Sequence, residues 1–131
     1  TARVGEQLRF RVIYCVQDDQ PVHVSVVLKN RYDQIINCTS TYTLGLDMPA
    51  LPAGTHAVFD LDLDMVLEAG SYSFMCSLSF VQDQANAGCA LDESPWLGPL
   101  TISWDFSLSV PPFYGMFGLP ARTEPPRVLK D

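Results

Sequence analysis

Apolar side chains recur at every second position along most of this sequence, and no window sustains a helical period. Leu8, Phe10, Val12, Tyr14 and Val16 share one face of a strand predicted from about Glu6 to Gln17. Val22, Val24, Val26 and Leu28 share one face of a second strand, about Val22 to Lys29. The segment NRYD, Asn30 to Asp33, reads as a turn, and a third strand follows from Gln34 to Thr43. A loop carrying LDMPALPAG leads to a fourth, about His56 to Asp64. After the EAG turn a fifth runs from about Ser71 to Gln82, then a loop with Gly, Pro and Asn reaches Gly98. A last strand near Leu100 to Val110 sets Leu100, Ile102, Trp104, Phe106 and Leu108 on one face. The pattern is that of an all-β chain.

Six or seven strands with turns at this spacing predict an immunoglobulin-like antiparallel β-sandwich. Within LEAGSY, a Tyr two residues after Gly matches the corner in which a tyrosine hydroxyl bonds back to upstream backbone. Tyr72 then begins strand F of such a sandwich, and the other strands become B, C, C′, E and G in chain order. The stretch FDLDLDMVLEAGSYSF, residues 59 to 74, poses a separate question, because three alternate aspartates suggest a metal site. A calcium loop needs Gly and Glu at its sixth and twelfth positions, where counting from Asp60 gives Met65 and Ser71. Aspartates on a strand stand roughly 7 Å apart and do not converge on one ion. With B paired to E, outward Arg9 and Arg11 face outward Asp60 and Asp62 instead, as a solvated charge ladder of small energetic worth.

At 131 residues the chain fits one domain, 1–131, with a core that needs no staples. A net charge of −7, with eight Lys and Arg in all, argues against nucleic acid and anionic membrane surfaces. No apolar run approaches a bilayer span. The start at Thr1 lacks a signal-peptide pattern, which fits a mature secreted protein or a domain cut from something larger. Of the four cysteines, Cys76 alternates with core residues and Cys15 with Arg9 and Arg11, so an inward-facing inter-sheet bridge is not favoured. Cys38 and Cys89 add no CxxC or zinc spacing, and reduced thiols in a cytosolic domain are expected. There is no phosphate loop, no dinucleotide motif and no nucleophile elbow; His23 and His56 are the imidazoles available. No catalysis, cofactor or metal is expected.

The C, F, G sheet offers something more specific. Strand F presents Ser71, Ser73, Met75, Ser77 and Ser79 outward, beside His23, Ser25, Val27 and Lys29 of C and Thr101, Ser103 and Asp105 of G. Small hydroxyls with longer polar residues at the margins make a surface of donors and acceptors that suits a sugar chain. Serine is also a common solvent-facing strand residue. Trp96, in LDESPWLGP, lies outside the alternation and offers a flat apolar face for a sugar ring, or plugs the end of the sandwich. Trp104 reads as core. The candidate carbohydrate-binding residues are His23, Ser25, Lys29, Ser77, Ser79 and Trp96. The tail PPFYGMFGLPARTEPPRVLKD, residues 111–131, is too rich in Pro and Gly for a central strand, yet FYGMF is apolar enough to need cover by a neighbour or a second copy.

Taken together, VGEQLRFRVIYCV, IINCTSTYTLGLDMPALPAGTHAVFDLDLDMVLEAGSYSFMCSLSF and FYGMFGLPA resemble the C-terminal carbohydrate-binding domain of Wzt-type proteins. These are ATP-binding subunits of ABC transporters that export bacterial O-antigen polysaccharide. The most specific elements are LPAG before an alternating strand, L.AG.Y, and the final G.FGLPA. The resemblance implies a non-catalytic β-sandwich, a homodimer formed by exchange or packing of C-terminal strands, and recognition of the capped non-reducing end of a glycan before export. It also implies an ATPase domain outside this fragment, a transmembrane transporter partner, and a cytoplasmic location against the inner membrane. On this view Trp96 stacks on the terminal sugars while His23 and Lys29 contact an anionic cap. A secreted structural or adhesive immunoglobulin-like module is the competing expectation, and a glycosidase accessory module a third.

Overall fold

The computed structural model describes residues 1–80 and 90–129. The strands in chain order are β1 (Ala2–Arg3), β2 (Gln7–Cys15), β3 (Val22–Asn30), β4 (Ile35–Ser40), β5 (His56–Asp64), β6 (Gly70–Phe80), β7 (Ala90–Glu93) and β8 (Leu97–Ser103). They form two sheets. The larger has six strands in the order β1-β8-β6-β3-β4, with β7 also paired to β6, and the smaller contains β2 and β5 alone. The all-β sandwich expected from alternation is what the chain adopts, and β2 to β6 sit where the pattern puts them. The expected extension of the fifth strand to Gln82 lies outside the described residues, as do Cys89 and the last two residues of the tail.

The core lies between the sheets. Phe10, Val12 and Leu61 from the small sheet meet Val24, Val26, Leu28, Tyr72 and Ile102 from the large one, and Val24, Leu28 and Ile102 are at most 1% exposed. Truncating a side chain as enclosed as Leu28 to Ala costs about 2–5 kcal/mol in such settings. Phe10 and Phe74 meet edge to face with centroids 5.4 Å apart, joining the sheets at the middle. On the outer face of the small sheet the Arg9 guanidinium grips Asp62 and that of Arg11 grips Asp60, each through two hydrogen bonds of 2.8 and 3.0 Å. Those bonds hold both carboxyls below the usual carboxylate range. Asp60 and Asp62 are thus one rail of a charge ladder, while Asp64 stands opposite Gln7.

The last strand is shorter than its alternation suggests. It ends at Ser103, where Asp105 turns the chain by accepting from the Ser107 amide at 3.0 Å and the Ser107 hydroxyl at 2.6 Å. Phe106 and Leu108, expected to face inward, are therefore 63% and 81% exposed. Trp104 stays half-buried against the core and donates its indole N–H to the Ser109 carbonyl at 3.1 Å. Two strands were absent from the expected set: β1, which pairs parallel with β8, and β7, inside the expected loop.

The tail folds back onto its own chain. Phe117 bridges to Leu67, the Glu68 amide donates to the Met116 carbonyl, and the Gly118 amide donates to the Val66 carbonyl. A Cβ at Gly118 would stand 2.7 Å from the Phe113 ring, so any larger residue there would have to push that ring from its place against the core. The G.FG element thus clamps the turn that launches β6. At that turn the Tyr72 hydroxyl donates to the Glu68 carbonyl at 2.6 Å, forming the expected corner. Tyr72→Phe should lower the unfolding free energy in urea by about 1–2 kcal/mol, the cost of leaving a partly buried carbonyl without its donor. An unchanged midpoint would show that the corner is held by packing alone.

Candidate functional site

The candidate site is the outer face of the large sheet, and register determines what stands on it. Antiparallel pairing of β3 with β6 sets His23 opposite Ser79, Ser25 opposite Ser77, Val27 opposite Met75 and Lys29 opposite Ser73. Directly paired residues share a face, so these side chains form parallel rows. On the outer flank β4 sets Ser40 beside Ser25 and Cys38 beside Val27; on the other flank β7 sets Glu93 beside Ser77. The row Glu93, Ser77, Ser25, Ser40 thus crosses four strands. The Ser25 and Ser77 hydroxyls are hydrogen-bonded to each other.

Trp96 reaches this face through a local device. Ser94 spans the backbone of Cys76, its amide donating to the Cys76 carbonyl at 2.9 Å and its hydroxyl accepting from the Cys76 amide at 3.0 Å. Pro95 has no amide to continue the ladder, and the chain resumes pairing only at Leu97, opposite Phe74. Leu97 points inward with Phe74, so its neighbour Trp96 points outward. The Lys29 ammonium lies 4.2 Å from the centroid of the indole ring and 3.0 Å from an Asp33 carboxylate oxygen. Lys29 is held between them with its side chain 19% exposed, while Trp96 remains 38% exposed.

His23 departs from expectation. Its place in the outward row of β3 predicts a solvent-facing ring, but it is 9% exposed because Thr41 and Tyr42, beyond β4, lie against it. Its Nδ1 is 2.8 Å from the Thr41 hydroxyl, which also accepts from the Val24 amide, and Tyr42 meets the imidazole edge-on at 5.4 Å. Burial lowers its pKa from 6.5, so the ring is neutral at pH 7 and supplies no cation for an anionic ligand. All six expected residues stand on one face, but in two environments. Ser25, Lys29, Ser77, Ser79 and Trp96 are partly accessible, whereas His23 is a support beneath Tyr42.

Sequence reasoning missed Thr41, Tyr42 and Glu93. Glu93 fell in an expected loop, and Thr41 acts only because the chain returns over β3. A signal existed in the third strand, whose phase, once fixed by pairing, aligns Ser40 with Ser25 and Cys38 with Val27. Cys15, Cys38 and Cys76 are unpaired thiols in the structure.

A sandwich with one strongly built outer face is a common scaffold for binding domains, and the comparisons with known proteins narrow the class. The sequence profile of the Wzt C-terminal domain matches residues 1–92. The fold is similar to a solved structure described as the C-terminal domain of wzt, with a TM-score of 0.71 at 16% identity, covering 95% of this chain and 72% of that one. No curated protein matches. The chain belongs to the Wzt C-terminal domain family. Membership is consistent with a carbohydrate role in O-antigen export through an ABC transporter. Among the described residues no helix is long and apolar enough to cross a membrane.

Because folded His23 resists protonation and the unfolded chain does not, the unfolded state binds the extra proton as pH falls below 6.5. Stability should be fully present above that pH and decline below it. Urea titrations from pH 7.5 to 5 should show that decline, and His23→Gln should flatten it. An equal slope in the variant would remove His23 as its source.

Proposed function

We propose that this domain binds, without catalysis, the capped non-reducing end of a bacterial O-antigen polysaccharide at the outer face of the large sheet, and so reports to the transporter that a chain is complete. The observation that carries the proposal is the register: in a member of this family it gathers serine hydroxyls, an anchored Lys29 and a half-exposed Trp96 on one surface. Hydroxyls that both donate and accept match sugar hydroxyls, and an indole face matches the apolar face of a sugar ring. The ATP-hydrolysing domain, the membrane subunit and a cytoplasmic position at the inner membrane complete this reading.

A titration of the domain against one O-polysaccharide, with and without its terminal modification, tests the proposal. Binding is expected to the modified chain alone. Trp96→Ala should weaken it by about tenfold, the scale of one lost aromatic stack. Equal binding of both chains would remove the checkpoint role, and binding to neither would favour a structural or adhesive module.

The proposal includes a homodimer built through the C-terminal segment. Among the described residues the small sheet has two strands, and none pairs with the edge of β2 away from β5. Between that edge and β6 and β8 opens a largely apolar cavity of about 360 Å³ lined by Leu8, Phe10, Val12, Phe74, Leu97 and Leu100. Residues 104–110 keep a strand alternation, with Phe106, Leu108 and Val110 exposed within their own chain. A strand added to β2 from a second copy would place such residues over the cavity. Leu108→Asp, harmless to a single chain at 81% exposure, should turn a dimer into a monomer by light scattering without lowering its melting temperature. A persistent dimer would exclude this segment as the contact.

A further inference from the structure

The segment that would join two copies is held back by contacts within its own chain, an inference that rests on the homodimer reading above. We propose that residues 104–110 are a latched strand, folded in a single chain into a turn that must open before the segment pairs with β2 of a second copy.

Two conformations compete for these residues. Trp104, Phe106, Leu108 and Val110 alternate with Asp105, Ser107 and Ser109, the pattern of a strand with one apolar face. In the single chain they turn instead, and Asp105 is the centre of the turn. Its carboxylate accepts from the Ser107 amide at 3.0 Å and the Ser107 hydroxyl at 2.6 Å, and its backbone carbonyl accepts from the Leu108 and Ser109 amides at 3.2 and 3.4 Å. The Trp104 indole closes the far end by donating to the Ser109 carbonyl at 3.1 Å. A strand added to a sheet must direct alternate amides toward its neighbour. With the amides of 107, 108 and 109 all bonded inside the segment, neither alternate set is free to pair with β2.

A contact from outside the segment steadies the turn. Arg3 of β1 lies 5.4 Å over the Trp104 ring, and the Asp105 carboxyl is held below the usual carboxylate range by its Ser107 bonds and, to a smaller degree, by the Arg3 charge. The turn does not cover its apolar side chains. Phe106 lines a cavity of about 200 Å³ with Trp104, Phe113 and Tyr114 yet remains exposed, as do Leu108 and Val110. The turned state therefore satisfies backbone groups and leaves apolar surface wet, whereas pairing with β2 would satisfy the same groups in a ladder and bring that surface to the apolar cavity beside it. Each state makes contacts the other lacks, and the turn needs no second chain.

The test is the dimer dissociation constant by sedimentation, with hydrogen exchange of the Ser107 amide in the monomer as a second readout. Asp105→Ala removes the carboxylate and should speed that exchange. Opening then becomes about threefold easier for each chain, the low end for one exposed hydrogen bond. Two chains open per dimer, so the constant should fall about tenfold. Arg3→Gln should act in the same direction and more weakly. Asp105→Asn keeps an acceptor in the turn and an equally poor strand former, and should stay within about twofold of the unmodified chain. Unchanged exchange or an unchanged constant in Asp105→Ala, with a dimer that Leu108→Asp abolishes, would overturn the latch and leave the C-terminal dimer standing. Equal tightening by Asp105→Asn would trace the effect to lost charge repulsion and overturn the latch as well. A dimer that survives Leu108→Asp, or no dimer at all, would remove the reading beneath the latch and the latch with it.

Discussion

Pairing between β3 and β6 is the constraint from which the two faces of the domain follow. Val24, Val26 and Leu28 must lie against Phe74, Cys76 and Leu78 on the inner side, and the pleat then assigns His23, Ser25, Val27 and Lys29 to the outer side beside Ser79, Ser77, Met75 and Ser73. A slip by one residue would bring serines into the core and leave valines in water. The apolar burial that stabilises the sandwich is therefore also what sets the positions of the hydroxyl rows. No separate machinery is needed to align them.

Around this pair the sandwich is lopsided. Among the described residues six strands on one side face two on the other, and the small sheet meets the large one through the Phe10 and Phe74 contact and the aliphatic core. Its outer face carries the Arg and Asp ladder, an alignment of charge that suits a strand pair with solvent on one side. An apolar pair follows at Ile13 and Val58, which oppose each other while 66% and 57% exposed. The ladder adds little stability and does not fix register by itself, because a two-residue slide of β2 along β5 would still set Arg9 and Arg11 against aspartates.

Much of this was legible from alternation, since each long strand buries one face and exposes the other. The corner at Tyr72 was also legible, because its Gly, its Tyr and the turn before it are local in sequence. What escaped the pattern was decided by contacts distant in sequence. Alternation runs on to Val110, but among the described residues no strand pairs with residues 104–110, and Asp105 turns the backbone instead. Strand β1 has two residues, too few to show a period, and is held by β8 at the other end of the chain. For the site, phase named the residues of the outer face correctly but could not show that Thr41 and Tyr42 would cover His23.

That cover makes β3 unlike its neighbour. Val22, Val24, Val26 and Leu28 are buried on one side, and His23 and Val27 on the other, so this strand is enclosed on both faces. The outward residues of β6 and Glu93 of β7 are half-open or open to solvent. Substitutions on the β6 and β7 flank can accumulate without touching the core, whereas changes in β3 are filtered by folding before they are filtered by binding. A binding surface that had to follow a changing glycan could be rewritten from one side, around a strand that stays fixed.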